Sequence, residues 1–119
     1  GYVSYEELPY KIGEVDLNIV PLQQHAFNDC KSELKYFEAS IVKVPTIASN
    51  NVVYKKVIEN GKDGFLCEDS EWFDCLESCY LNQKKLAEVA EVAYKKCLER
   101  YSNDNQLEKI TKIYDEILK

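Results

Sequence analysis

The densest run of side chains with chemical capability is "FNDCKSELKYFEA", residues 27–39. Lys31, Lys35 and Glu38 stand at i, i+4 and i+7, and Leu34, Phe37 and Ile41 form a separate apolar row at i, i+3 and i+7. A helix starting near Lys31 would place that cation and the Ser32 hydroxyl beside backbone N–H groups that have no partner in the first turn. Such a terminus suits an anion such as a diphosphate. Glu38, two turns deeper, can take hydrogen bonds from two sugar or ribose hydroxyls at once. On spacing alone the plainer reading is a solvated face, with a Lys35–Glu38 pair worth roughly a few tenths of a kcal/mol. No GxGxxG or Walker-type phosphate loop is present, which excludes a standard dinucleotide or P-loop site.

The remaining polar groups say less. His25, the only histidine, has no carboxylate or nucleophile near it in sequence and reads as a surface residue of a polar loop, "QQHAFNDC". Ser49, Asn50 and Asn51 could meet a ligand, and are equally well explained as turn formers and a helix cap. The nine tyrosines are scattered and not interleaved with basic residues, so no base-stacking platform is indicated. Five cysteines at irregular spacing, with no CxxC, read as reduced and mostly buried thiols, which places the chain in the cytoplasm; no metal is expected.

The elements that must position these residues alternate. Ser4 and Glu7 make a capping-box pattern for a short helix from near Tyr5 to Gly13, with Pro9 near its first turn. Val15–Leu22 and Val44–Ser49 read as short strands, and Gly64–Cys67 as a third. A helix from Lys31 buries Leu34, Phe37 and Ile41, and a helical turn from Val53 to Ile58 ends at the turn dipeptide Asn60-Gly61. Asp69 or Ser70 is expected to cap a helix bearing Trp72, Phe73, Leu76 and Cys79. Two further helices carry Leu86, Val89, Ala93 and Cys97, and then Leu107, Ile110, Ile113, Tyr114 and Ile117. This alternation predicts an α/β fold, a Rossmann-like three-layer parallel sheet with flanking helices. Three strands are few for a doubly wound sheet, so the expected unit is the truncated C-terminal half of a larger nucleotide-binding domain. Residues 1–119 form a single domain in this reading, with helices 83–119 as a C-terminal helical extension.

Composition narrows the class. The chain has 119 residues and a net charge of −6, from 15 basic and 21 acidic side chains. That leaves room for one core and argues against sequence-independent nucleic-acid binding. No window approaches the roughly 20 apolar residues of a membrane span.

Three segments in order, "GYVSYEELPYKIGEVDLNIVPL", "FNDCKSELKYFEASIVKVPTIAS" and "YKKVIENGKDGFLCEDSEWFDCL", resemble the C-terminal domain of retaining, GT-B-type glycosyltransferases. The similarity is greatest to bacterial family-four enzymes that build O-antigen, capsule and other surface polysaccharides. Its specific part is "N-x-x-K-S-x-x-K-x-x-E", Asn28 to Glu38, followed by "VPTIAS"; it weakens after Tyr101. The resemblance implies that Glu38 is the second acid of a Glu-x7-Glu signature and holds the ribose of a nucleotide-sugar donor. It puts Lys31 and Ser32 at the donor diphosphate with Lys35 beside them, Tyr2 and Val3 near the base, and Ser49 and Asn50 in a loop closing over the donor.

The implied function is to bind the donor for transfer of a hexosyl unit to a growing polysaccharide or lipid-linked acceptor. No metal is implied, in keeping with the absence of an Asp-x-Asp pair. The fragment alone is expected to be inactive, because its partners would include an N-terminal acceptor domain of the same chain. The full-length protein would be cytoplasmic or peripheral at the inner face of the membrane. Removing an N-terminal strand pair would open a sheet edge, which favours a homodimer. Cys30 stands where the first signature acid would fall, a departure shared by related K-S-x-x-K sequences. From another class, a small α/β regulatory or interaction module without catalytic activity fits the length. A receiver-like version lacks the paired acids after its first strand.

Overall fold

The computed structural model describes residues 1–119. Three parallel strands, β1 (Asn18–Val20), β2 (Thr46–Ser49) and β3 (Phe65–Cys67), pair in the order β1-β2-β3, with Ile47 of β2 opposite both Ile19 and Phe65. Helix α1 (Leu8–Ile12) precedes β1; α2 (Ala26–Asp29) and α3 (Leu34–Ile41) link β1 to β2, and α4 (Val52–Lys55) links β2 to β3. The chain ends in α5 (Trp72–Leu81), α6 (Gln83–Tyr101) and α7 (Asn103–Ile117). The expected α/β parallel sheet with flanking helices is therefore present, and no helix is long and apolar enough to cross a membrane.

All four residues of β2 are buried, as a central strand covered on both faces requires. Val20 and Ala48 face one core with Tyr36, Tyr54, Ala93 and Cys97; Ile47 and Cys67 face a second with Cys79 and Leu86. Helix α6 thus seals both cores; Leu86, Val89, Ala93 and Cys97, which its periodicity selected, are buried together with Ala90. Helix α7 buries none of its residues: Leu107, Ile110, Ile113, Tyr114 and Ile117 are all exposed.

Several local expectations need correction. The Ser4–Glu7 capping box forms, with Ser4 Oγ donating to Glu7 at 2.8 Å, but residues 5–7 make a turn and the helix begins at Leu8. Only three residues of the stretch Val15–Leu22 pair as a strand; Val15 N–H still bonds Ile12, which prolongs the preceding turn. In α3 the buried side chains are Tyr36, Ala39 and Ser40, while Leu34 is exposed and Phe37 and Ile41 are only half-buried. Ser40 tolerates burial because its hydroxyl donates to Tyr36 O at 2.7 Å. Neither Asp69 nor Ser70 caps α5; Glu71 occupies that position without a side-chain capping bond. Phe73 and Leu76 of α5 lie exposed.

Cys67 and Cys75 are joined by a disulfide, against the expectation of five reduced thiols. Their spacing announced no pair, but the first turn of α5 folds back over the end of β3 and brings them together. The cytoplasmic assignment loses the support it drew from reduced thiols.

The segment between α4 and β3 is pinned from below. Asp63 is 3% exposed, accepts from Glu59 N–H at 2.9 Å and pairs with Lys96 Nζ of α6 at 2.5 Å. Lys96 also donates to Val57 O, and the Tyr36 hydroxyl donates to Asp63 O at 3.1 Å. The turn above it needs Gly61, whose φ is +77°. Gly61→Ala should cost about 1 kcal/mol, read as a lower urea midpoint at unchanged m-value, with Gly61→Asn losing less.

Candidate functional site

The site is built where β1 ends. After Val20 the chain passes through Pro21 and Leu22, whose N–H donates to Ser49 Oγ at 2.8 Å and ties the loop to the end of β2. The stretch expected as an aperiodic loop contains α2. His25 is its N-cap, Nδ1 accepting from Phe27 N–H at 3.1 Å, which gives the lone histidine a structural task. Asn28 Nδ2 donates to Gln23 O at 2.8 Å and closes the loop on itself.

Lys31 and Ser32 follow, both exposed and both ahead of α3, so Lys31, Lys35 and Glu38 do not share one helix face as their spacing suggested. Lys31 Nζ lies 4.9 Å from the centre of the Phe27 ring, a cation–π contact that holds the ammonium against α2. Asn18 Nδ2 fixes that entrance to the sheet, donating to Lys35 O at 3.2 Å and Thr46 Oγ1 at 3.0 Å. The N-cap of α3 is Glu33, and its side chain makes no capping bond, leaving the first amides of the helix without a protein partner.

Glu38 is half-buried and lines an open groove of about 280 Å³ between α1 and α3. Tyr5, Glu6, Leu8, Pro9, Phe37 and Ile41 share it, so the carboxylate stands in an apolar channel that remains accessible. Lys35 is exposed on the same helix. Tyr2 and Val3 are exposed and do not line the groove; Tyr5 is the aromatic residue of the N-terminal segment that does. Ser49 is buried and its hydroxyl is taken by Leu22 N–H, so it organises the loop. Asn50 bridges to β3: its N–H donates to Cys67 O at 2.9 Å and its Nδ2 to Glu68. Buried Asn50 Oδ1 and Asn51 Nδ2 have no hydrogen-bond partner, while Asn51 Oδ1 caps α4 through Val53 and Tyr54 N–H.

Two residues were missed in sequence. The Tyr101 hydroxyl, at the end of α6, donates to Glu33 Oε1, and its ring packs 4.9 Å from Phe37. This bond holds the Glu33 carboxyl below the usual carboxylate range, and burial together with Glu33 raises the Tyr101 phenol well above its usual value. Glu33 is detectable in principle as the residue preceding the first apolar helix position; a partner 68 residues away is not.

A three-stranded parallel sheet with these helices is the fold of the C-terminal domain of GT-B glycosyltransferases. Among solved structures, HepE from Anabaena in complex with UDP and glucose superposes with a TM-score of 0.79 at 18% identity, over 92% of this chain and 30% of that one. The C-terminal domain of LpcC, a glycosyl transferase group 1 family protein from Francisella tularensis, matches at 0.71 and 20%, over 87% of this chain and 52% of that one. TarM matches at 0.57 and 28%, over 70% of this chain and 18% of its own. HepE has also been crystallised with UDP-glucose. This chain thus spans under a third of HepE. No family model matches it, and no curated protein matches it significantly in sequence.

Proposed function

We propose that the chain is the donor-binding part of a glycosyltransferase, receiving the nucleotide of a nucleotide-sugar at the entrance and along the groove face of α3. The observation that carries this reading is the start of α3 in the crossover that follows β1: Leu34 and Lys35 amides without a side-chain cap, Lys31 against Phe27 ahead of them, and Glu38 further along the same helix in the groove against α1. The UDP and UDP-glucose bound by HepE, which shares the fold, support the same chemistry.

In this reading the amides and Lys31 take the diphosphate, with Ser32 and Lys35 at its rim. Glu38 accepts from the ribose hydroxyls, and Tyr5, rather than Tyr2 or Val3, flanks the groove. The helix terminus and lysine would stabilise the charge that develops on the departing diphosphate, a role that needs no metal. The hexosyl acceptor, a polysaccharide or lipid-linked glycan of the bacterial surface, would be held by a preceding domain of the same chain. Transfer would take place at the cytoplasmic face of the membrane.

Titrating the ¹⁵N-labelled chain with UDP should shift amides 31–38 at millimolar nucleotide, with GDP as comparison. Shifts confined elsewhere, or none, would remove the reading.

A further inference from the structure

The Cys67–Cys75 disulfide joins two parts of unequal firmness. Cys67 ends β3 and is fully buried in the second core. Cys75 stands near the start of α5, a helix whose one buried residue is Cys79. Phe73, Leu76, Tyr80 and Leu81 of that helix are exposed, and Glu71 at its N-cap makes no side-chain capping bond. Apart from the cross-link, α5 meets the second core through Trp72 and Cys79. The disulfide is thus the covalent hold on a thinly anchored helix. Its two sulfurs also differ in access. Cys75 is half-buried and lines an open groove of about 350 Å³ with Phe65, Leu66, Asp74 and Cys79, whereas Cys67 exposes no surface.

The end of β3 carries this hold further. Cys67 O accepts from Asn50 N–H at 2.9 Å, and the side chain of Glu68, the next residue, accepts from Asn50 Nδ2. We infer that the Cys67–Cys75 disulfide is a reducible switch: a small monothiol opens it through the groove, which releases the first half of α5 and loosens the grip of β3 on the Asn50 turn. The inference does not depend on the donor-binding reading. In the first step a thiolate attacks Cys75 Sγ, forms a mixed disulfide there and expels Cys67 Sγ, which takes up the proton that the attacking thiol gave up. A second monothiol attacks the outer sulfur of the mixed disulfide and departs with it as a disulfide, and Cys75 is protonated in turn. Two electrons pass from the two monothiols to the protein, and the small disulfide they form can reverse the exchange.

The test equilibrates the chain with oxidised or with millimolar reduced glutathione. Peptide mapping after alkylation in denaturant reads the bond, and amide exchange reads the fold. Cys67 and Cys75 should be joined in the oxidised chain and both alkylated in the reduced one. Reduction should speed exchange at the amides of Cys75 to Cys79 about tenfold or more and move Asn50 in the same direction, while Val89 and Ala93 of α6 keep their rates. Cys75→Ser should show the fast pattern in both buffers; the wild-type comparison decides even where that variant does not fold. A staple that adds only to global stability predicts exchange raised throughout, α6 included, and that result overturns the switch. So does a chain in which Cys67 and Cys75 stay unbonded under oxidised glutathione, a bond that reduced glutathione leaves intact until the chain unfolds, or α5 exchange unchanged on reduction.

Discussion

Glu38→Ala should raise the dissociation constant for UDP by tenfold or more, since hydrogen bonds to a charged group contribute about 1.5–3 kcal/mol. The same substitution should weaken uridine to a similar degree, because the proposed partner of the Glu38 carboxylate is the ribose and not the phosphates. Lys31→Ala should weaken UDP and spare uridine. Glu38 is half-buried at the edge of an open groove and makes no side-chain hydrogen bond or ion pair within the chain, so the melting temperature should stay nearly constant. Calorimetric titration of both ligands reads the contrast. Equal UDP affinity in Glu38→Ala and wild type would place the ribose elsewhere.

The second large effect concerns stability. Lys96→Met keeps the aliphatic stem of the side chain and removes the ammonium that compensates Asp63, leaving a carboxylate that is 3% exposed without its counter-ion. Breaking a buried pair in this way costs about 3 kcal/mol, reduced toward 2 by the solvent that reaches Lys96. The Val57 carbonyl also loses its donor, which pushes in the same direction. Chemical denaturation should show the loss. Asp63→Asn/Lys96→Met should recover part of it, because no lone charge then stays buried. A single variant within 0.5 kcal/mol of wild type, roughly the range of ordinary surface substitutions, would show that Asp63 reaches water.

Apart from α2, the sequence made the order of elements legible, together with four of the five buried positions of α6. Leu86, Val89, Ala93 and Cys97 recur at helical spacing and are buried, because α6 meets both cores along one stripe. The rule failed on α3, where the aromatic Tyr36 and the small Ala39 and Ser40 go inward and the larger Leu34 stays outside. Close approach of α3 to α6 favours small residues, and the serine pairs with its own backbone, a solution that apolar periodicity does not detect. Lys31, Ser32, Lys35 and Glu38 all lie in the connection from β1 to β2. Their arrangement was not legible in the sequence, because α2 and its His25 cap put Lys31 ahead of the helix and against Phe27. Pairings that cross the fold, such as Tyr101 with Glu33 and Cys67 with Cys75, leave no local trace in the chain.

The uncovered apolar row of α7 has a thermodynamic consequence. Fifteen residues in water are marginal for an isolated helix, and α7 adds almost no sequestered hydrocarbon to hold it. Its helicity should therefore fray gradually with heating, whereas residues up to Tyr101 melt as one cooperative unit. Amide exchange in α7 would proceed without global opening, so the measured unfolding enthalpy belongs to the remainder of the molecule.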